Sequence, residues 1–391
     1  MHIGINALLS RSAGSLTYLH HLLPLLPVVN GEHTYTLFLT PEQQGKLRVD
    51  YGRIQVKVCR IPLYRSTVVR HLWHQIFLPS LVRRHRIDVL FSLESVGLLR
   101  APCPSVFVLR FPYQIAEYQV ASAQRWKTFA LHVLGLWSAR RSDRVIVVSE
   151  YLRDALRAKG FPLERMAVVH HGRDEAMGRV TDLAVLQQAR QRYGINGPYL
   201  LAVSSIYPHK NYGNLVKAFA LLCQGRQAPL DLLIAGRTLD REEGQRLQRL
   251  IAQSPGGERV KMLGEVPWTD LSALYSMAEV FVFPSFVETF GHPLVEAMSC
   301  GAPVAASRAS AIPEICGDAA VYFDPYDVHA IAAALEKILD DPAHRTDLVV
   351  QGYRQVQRFS WQRTVEQTLR VLESVAGVAG KSDTPALRPA E

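Results

Sequence analysis

Two acidic residues, Glu288 and Glu296, lie eight positions apart in the segment 284–304, PSFVETFGHPLVEAMSCGAPV. An apolar run that predicts a strand comes before them, and Pro293 and Gly301 are typical of a helix start and a helix end. Glu288 is therefore expected at the carboxyl end of a strand and Glu296 in the first helical turn. Carboxylates there can accept hydrogen bonds from the vicinal hydroxyls of a ribose or a hexose, although the helix macrodipole alone also favours an acid in a first turn.

The backbone between these acids is a second candidate binding group. The N–H groups of Phe290, Gly291 and His292 lie where the helix is predicted to start, and a helix amino terminus favours an anion. Gly291 has no side chain and so allows a ligand to approach closely. These amides are expected to meet further hydroxyls or an anion.

A cation stands in a comparable loop earlier in the chain. The segment IYPHKNYGNLVKAFALL follows a predicted strand and places Lys210 at the opening of a helix. A lysine there is unfavourable by about 0.3–1 kcal/mol unless an anion lies between it and the helix. A phosphate would satisfy both groups, and a solvated loop lysine is the alternative.

The first predicted strand also ends in a loop of small residues, where Gly14 and Ser15 open a helix. This loop could cradle a diphosphate, but a simple tight turn explains it equally well, and no G-x-G-x-x-G fingerprint follows any predicted strand. His170 and His171 end another strand and are either ligand-binding or hydrogen-bonded structural histidines.

The sequence predicts neither a metal site nor a cofactor. The histidines are scattered, and DPYD at 324–327 is more typical of a turn than of a ligand pair. Five widely spaced cysteines favour reduced thiols in a cytosolic protein. The amino terminus lacks the pattern of a secretory leader, and the uncharged run 12–31 contains histidines and prolines typical of a buried helix rather than a membrane span.

Short apolar runs alternate with helical patterns along the whole chain, which predicts an α/β protein with parallel sheets. The predicted strands are 2–7, 34–39, 54–59, 88–93, 105–110, 144–149, 166–171, 199–205, 230–236, 259–264, 279–285, 303–307 and 320–323. So many strands favour two doubly wound domains, at 1–180 and 185–358. A final helix at 360–375 is expected to pack back on the first domain, and the tail 379–391 is expected to be disordered.

The positive charge lies in the first half of the chain. Residues 1–180 contain 24 Lys and Arg against 12 Asp and Glu, a net charge of +12, whereas residues 181–391 have a net charge of −3. No nucleic-acid-binding signature accompanies it, which leaves an anionic membrane surface or an acidic substrate. The segment 68–86 mixes aromatic, aliphatic and basic residues, as an interfacial helix would, yet a core-facing helix with a solvated basic side explains it as well.

Taken together, the motifs resemble those of glycosyltransferase family 4. The resemblance covers most of the chain and is carried by VSEYLRDALRAKG, VVHHGRDE, YPHKN, LGEVPWTDLSALYSMAEVFVFPS, ETFGHPLVEAMSCGAPV, SAIPEICGDAAVYFDP and FSW. It implies the GT-B fold, with two Rossmann-like domains facing across a cleft, and a retaining transfer by front-face substitution without a protein nucleophile or a divalent metal.

The resemblance also implies roles for matching residues. Glu288 would contact the donor sugar, Glu296 the ribose hydroxyls, and Lys210 the leaving diphosphate. The amides of Phe290, Gly291 and His292 would meet sugar and phosphate. Gly14 and Ser15 would lie close to the phosphates and the acceptor.

This chain departs from the family pattern in two places. Where many members carry a His-Asp pair after the fifth strand, the nearest residue here is Arg110, which can bind an anion but cannot act as a base at neutral pH. Where many members carry an arginine before the phosphate-binding lysine, this chain has Ser204 and Ser205. His209, or an arginine of the first domain, is a candidate to compensate.

We therefore expect a cytoplasmic enzyme that moves a hexose from a nucleotide diphosphate sugar to a saccharide or polyprenyl-diphosphate-linked acceptor. It would act in cell-surface polysaccharide or glycolipid assembly, with peripheral association at the inner face of the cell membrane as an open possibility. The alternatives are another GT-B activity, such as an epimerase or a phosphorylase, and a catalytically silent nucleotide-sugar-binding protein.

Overall fold

The computed structural model describes residues 1–10, 13–47, 50–63, 66–93, 96–110, 125–225 and 229–377, so the predicted disordered tail at 379–391 lies outside the described residues. The strands are β1 His2–Asn6, β2 Thr34–Leu39, β3 Ile54–Val58, β4 Val89–Ser92, β5 Ser105–Leu109, β6 Arg144–Val147, β7 Met166–Val168, β8 Tyr199–Val203, β9 Asp231–Ala235, β10 Val260–Gly264, β11 Val280–Phe283, β12 Val304–Ser307 and β13 Ala320–Phe323. The predicted strands are thus confirmed, most of them shorter by one to three residues.

The helices alternate with these strands as the sequence predicts. They are α1 Ala13–Val29, α2 Pro41–Lys46, α3 Thr67–Arg84, α4 Arg125–Arg141, α5 Glu150–Ala158, α6 Leu183–Tyr193, α7 Tyr212–Gly225, α8 Arg241–Gln253, α9 Trp268–Met277, α10 His292–Ser299, α11 Ile312–Cys316, α12 Val328–Asp340, α13 Pro342–Val356 and α14 Trp361–Val375. No helix of the described residues is both long and apolar enough to cross a membrane.

The first sheet has seven parallel strands in the order β3-β2-β1-β4-β5-β6-β7. Every residue of β4 and β5 is buried, as expected for strands covered by helices on both faces. The strand order reverses between β1 and β4. In such sheets, the crevice at the carboxyl ends of these two strands is the usual place for a ligand.

The second sheet has six parallel strands in the order β10-β9-β8-β11-β12-β13. Its strands β8, β11 and β12 are buried along their whole length. Here the strand order reverses between β8 and β11, which places a second crevice at the carboxyl ends of those two strands.

The chain divides into two compact units. The first comprises residues 1–148, 153–170 and 361–391, and the second comprises residues 149–152 and 171–360. The last helix, α14, belongs to the first unit. Its Trp361 lies edge-on to Tyr18 and stacks on His21 of α1, with ring centroids 5.5 and 4.8 Å apart.

One local expectation was wrong, and one helix begins slightly later than expected. Helix α10 begins at His292 because Gly291, with φ +93°, forms its N-cap in the left-handed region. Glu296 is therefore the fifth helical residue and not part of the first turn, so the macrodipole explains less of its presence. Lys210 lies in a short 3-10 helix, Pro208–Lys210, two residues before α7 begins at Tyr212.

Candidate active site

The central contact of the second unit is an ion pair at its crevice. Lys210 follows β8 and Glu288 follows β11, and the Lys210 ammonium donates to the Glu288 carboxylate oxygen Oε1. Only 16% of the lysine side chain and 12% of the glutamate side chain are exposed. The alternative of a solvated loop lysine is therefore wrong.

A buried asparagine fixes the backbone next to this lysine. Asn211 has φ +58°, a left-handed conformation that asparagine tolerates better than most residues. Its side-chain amide donates to the carbonyl oxygens of Pro284 at 3.0 Å and Pro325 at 2.7 Å. Asn211 thus ties the lysine loop to the end of β11, and nothing in the sequence pattern singled it out.

Ser310 fixes the backbone of Glu288 in a similar way. The Glu288 N–H donates to Ser310 Oγ at 2.7 Å, and that hydroxyl donates to the carbonyl of Ala309 at 2.7 Å. Ser310 has φ +55°, a conformation that non-glycine residues adopt at a cost and that often occurs at functional sites. The sequence gave no signal for this role.

Glu296 is held by a tyrosine that the sequence analysis also missed. The Tyr275 hydroxyl donates to Glu296 Oε2 at 2.9 Å, and Tyr275 is fully buried on α9. Burial and the nearby Glu296 charge raise the pKa of Tyr275 well above its ordinary value, so the phenol stays protonated and donates.

The three predicted amide residues lie at the start of α10. A glycine is required at position 291 for two reasons. Residues with a Cβ atom are strained at this positive φ, and the added Cβ atom would lie only 3.0 Å from Leu294 Cδ1. The His292 ring stacks on His171 with centroids 4.9 Å apart, and the buried Phe290 ring meets His171 edge-on at 5.1 Å. His171 therefore packs against the residues at the start of α10 and supports their conformation.

Ser204 and Ser205 stand where many family members carry an arginine, and His209 is a candidate to compensate, but none of the three supplies a positive charge. The Ser204 hydroxyl donates to the carbonyl of Ser205 at 3.1 Å, and the Ser204 carbonyl accepts from Tyr212 at 3.0 Å. Burial, with the nearby Lys210 charge, lowers the pKa of His209 to about 2. Its imidazole is therefore neutral at physiological pH, so it can exchange hydrogen bonds but cannot act as a second cation.

In the first unit the structure brings together three predicted residues. Arg110, just after β5, donates to the carbonyl of Leu93 at 2.6 Å, to Ser15 Oγ at 3.2 Å and to the carbonyl of Gly14 at 3.4 Å. Its guanidinium also lies 4.8 Å from the Tyr18 ring centroid. Arg110 therefore connects the loop after β4 to the first turn of α1, beside the crevice of the first sheet.

A buried polar network holds the loop that leads into α1. The Asn6 amide donates to His74 Nε2 at 2.8 Å and to Ser92 Oγ at 3.2 Å, which joins the ends of β1 and β4. The Gln43 amide donates to the carbonyl of Ser10 at 2.7 Å. Burial lowers the pKa of His74 to about 3, so its ring is neutral and can accept.

No group of three or more His, Cys, Asp or Glu side chains suited to a metal ion occurs within the described ranges. The prediction of a metal-independent protein stays a prediction. The five cysteines are free thiols.

Two family models match successive parts of the chain: Glycosyltransferase Family 4 at residues 14–176 and Glycosyl transferases group 1 at residues 187–355. The O-antigen chain mannosyltransferase B of Escherichia coli is 37% identical over 171 residues, 44% of each chain. The serotype-specific mannosyltransferase WbdA of Escherichia coli is 34% identical over 48% of this chain and 24% of its own. The matches thus span less than half the length of these two relatives.

A longer match is the MMP alpha-(1->4)-mannosyltransferase of Mycolicibacterium hassiacum, 30% identical over 76% of this chain and 73% of its own. Among solved structures, sucrose-phosphate synthase from Thermosynechococcus elongatus has a TM-score of 0.76 at 20% identity and covers 97% of this chain and 100% of its own. Anabaena HepE in complex with UDP and glucose has a TM-score of 0.75 at 19% identity, covering 96% and 100%. These structures share the fold, and with the family models and the Mycolicibacterium relative they identify the chain as a GT-B member of glycosyltransferase family 4.

Proposed function

We propose that the chain transfers a hexosyl residue from a nucleotide diphosphate sugar to a saccharide or lipid-linked saccharide, with retention of the anomeric configuration, during bacterial cell-surface polysaccharide synthesis. The observation that carries the proposal is the Lys210–Glu288 ion pair at the crevice of the second sheet. A largely buried pair of this kind is a poor source of stability, because the desolvation of both charges offsets their attraction. A function in ligand binding explains the pair better.

The donor diphosphate would take the place of Glu288 as the partner of Lys210. The ammonium would then neutralise the charge that develops on the leaving group, and Glu288 would accept hydrogen bonds from the sugar hydroxyls. The amides of Phe290, Gly291 and His292 would supply further donors to sugar and phosphate. Ser310 and Asn211 act as positioning residues, because each fixes the backbone of one member of the pair.

The ribose would bind at Glu296. Its Oε2 accepts from Tyr275, which orients the carboxylate so that the other oxygen can face a ribose hydroxyl. This assignment gives the two acids separate tasks: Glu288 binds the sugar and Glu296 binds the nucleoside.

In the transfer step the acceptor oxygen would form a bond to the anomeric carbon as the bond from that carbon to the diphosphate oxygen breaks. The leaving diphosphate would take up the acceptor proton on the same face, so the configuration is retained and no protein nucleophile is required. Fixed cations and amides would stabilise the departing charge without a metal ion.

Arg110 would hold an anionic group at the start of α1. A cation is unfavourable beside a helix amino terminus unless an anion lies with it, and Arg110 contacts both Gly14 and Ser15 there. The ligand group would be a phosphate or an anionic part of the acceptor. Arg110 is the residue nearest to the position where many family members carry a histidine. It cannot act as a base there, because a guanidinium stays protonated.

The named relatives narrow the choice of sugar. The three relatives reported above are mannosyltransferases by name, which favours mannose as the transferred hexose. A lipid-linked acceptor would place the protein at the inner face of the cell membrane.

The test is a transfer assay with UDP, GDP and ADP sugars, with an acceptor pool extracted from bacterial membranes and with EDTA added in parallel. The expected result is a glycosylated product with retained configuration by proton NMR, with equal rates in the presence and absence of EDTA. Conversion of the donor without acceptor would indicate an epimerase, and a requirement for orthophosphate would indicate a phosphorylase. Donor binding by calorimetry without release of nucleotide diphosphate would indicate a silent binding protein.

A further inference from the structure

Helix α3 exposes apolar side chains and buries polar ones. Val68, Leu72 and Ile76 recur every four residues on its outer face and are 67%, 55% and 62% exposed. Arg70 and His74 on the same helix are buried. The second half of α3 fits the core-facing alternative, with Leu78 and Val82 buried and Arg83 and Arg84 exposed, whereas the exposed positions of its first half are apolar. Large exposed apolar patches mark interaction sites more often than single exposed residues do.

Helix α4 lies beside α3 and also exposes apolar side chains. The carbonyl oxygen of Gly97 accepts from Gln75 Nε2 of α3 at 2.8 Å and from Ser138 Oγ of α4 at 3.2 Å, so both helices contact the backbone at Gly97 and lie close together there. Trp137, directly before Ser138, is 54% exposed. We define the α3–α4 surface by the exposed residues Val68, Leu72, Ile76, Phe77, Val133 and Trp137.

The sequences of these two helices carry charge of one sign. The sequences of α3 and α4 contain seven Lys and Arg and no Asp or Glu. Each helix ends in an arginine pair, Arg83 with Arg84 and Arg140 with Arg141. The helix macrodipole favours cations at these ends, but it gives no reason for apolar side chains to face water or for acids to be absent.

We propose that the α3–α4 surface docks on the face of an anionic lipid bilayer. The apolar side chains and Trp137 would enter the boundary between headgroups and acyl chains, and the arginines would bind the anionic headgroups. An anionic lipid boundary accommodates exposed apolar residues, a tryptophan and arginines together. A protein partner would need an apolar patch bordered by acidic residues to do the same. The inference does not depend on which donor or acceptor the chain uses.

The test is flotation of the full-length protein with phosphatidylcholine vesicles, with and without phosphatidylglycerol. We expect flotation only with phosphatidylglycerol, and a fall of at least about tenfold at high salt. The variant Leu72→Ser/Ile76→Ser/Trp137→Ser should lose at least about tenfold in partition, since all three residues are exposed and their replacement leaves the core intact.

A matched control comes from the second unit. The triple variant Leu183→Ser/Leu239→Ser/Val350→Ser also removes three exposed aliphatic side chains, which are 78%, 45% and 41% exposed. It should float as the wild type does. Equal losses in both triple variants, or no flotation of the wild type, would overturn the proposal.

Two further measurements separate other occupants of the surface. Light scattering of the wild type without lipid should show a monomer, whereas self-association that the first triple variant abolishes would identify a second copy as the occupant and overturn the proposal. Vesicles with brominated acyl chains should quench tryptophan fluorescence less in Trp137→Phe than in the wild type. Equal quenching in both proteins would contradict the placement of α4 at the membrane.

Discussion

The ammonium of Lys210 and the carboxylate of Glu288 meet where the strand order of the second sheet reverses. The two residues are 78 positions apart; Asn211, next to Lys210, donates to the carbonyl of Pro284, and Ser310 accepts from the Glu288 N–H. A ligand with a diphosphate and vicinal hydroxyls could bind its diphosphate to the ammonium and its hydroxyls to the carboxylate. Variants of the pair can therefore be tested for two effects in separate measurements: the contribution of the pair to stability and its contribution to transfer.

Removing one member of the pair should damage both stability and transfer. Lys210→Met leaves Glu288 largely buried without its cation and should lower the free energy of unfolding by about 1–3 kcal/mol. The double variant Lys210→Met/Glu288→Gln should recover most of that stability, because no lone charge remains. Both variants should lose at least about a hundredfold in kcat. Urea unfolding and the transfer assay check the two parts, and activity near the wild type in the double variant would refute the proposed role.

Tyr275→Phe should weaken nucleotide binding. It removes the hydroxyl that donates to Glu296, and a hydrogen bond to a charged group contributes about 1.5–3 kcal/mol. That energy stabilises the free protein as well, so the effect on binding is the cost of ordering the released carboxylate, about 0.5–1.5 kcal/mol. Calorimetry with the nucleotide diphosphate should therefore show a rise in Kd of about two- to tenfold. Tyr193→Phe is the matched control, because Tyr193 donates to Asp270 at 2.6 Å elsewhere in the same unit. Similar changes in the two variants would argue against a role for Glu296 in binding the ribose.

The conformation of Asn211 predicts an order among its variants. Asn211→Ala loses both hydrogen bonds and must hold a positive φ, whereas Asn211→Gly loses the bonds but adopts that φ without strain. Asn211→Ala should therefore be less stable than Asn211→Gly by about 1 kcal/mol. Both should raise the KM for the donor, since the lysine loop is no longer tied to Pro284. Thermal unfolding and donor titrations test the order, which the reverse ranking would contradict.

Arg110→Lys should fail to replace arginine despite its positive charge. The guanidinium reaches Leu93, Ser15 and Gly14 together through its fork of donors, which a single ammonium cannot do. We expect kcat/KM to fall by about tenfold or more, while Arg141→Lys on the exposed end of α4 should leave it unchanged. A fully active Arg110→Lys variant would show that charge alone suffices at this position.

The buried His74 predicts a loss of stability in acid. Its pKa is lowered to about 3 in the folded chain by burial, whereas an unfolded histidine titrates near about 6.5. Below that value the unfolded chain binds a proton that the folded chain does not. Stability is therefore fully present above about pH 6.5 and falls by about 1.4 kcal/mol for each pH unit below it, until the folded pKa is reached. The urea midpoint between pH 7 and pH 4 measures this, and His74→Gln should flatten the slope.

The sequence predicted the strands well because their apolar runs are covered on both faces of a parallel sheet and carry a strong, local signal. It also predicted that Glu288 and Lys210 follow strands, which the ends of β11 and β8 confirm, whereas the roles of these residues stay predictions. It placed Glu296 in the first helical turn, one residue too early, because α10 begins at His292 after the Gly291 N-cap and not at Pro293.

The residues that the sequence missed act across long separations. Tyr275, Asn211 and Ser310 matter through contacts with Glu296, Pro284 and Glu288, which only tertiary structure creates. The meeting of Arg110 with Ser15 joins residues 95 positions apart. Local patterns cannot report such pairs, although the unusual left-handed conformations mark two of the three missed residues once coordinates are known.

The return of α14 to the first unit has a consequence for engineering. Apart from the short stretch 149–152, the second unit is one continuous segment, 171–360, inserted into the first, so exchanging that segment for one from another enzyme requires two junctions, near His171 and Ser360, rather than one fusion point. A chimera built by simple replacement of the carboxyl-terminal half would also discard Trp361 and leave the rings of Tyr18 and His21 without their cover.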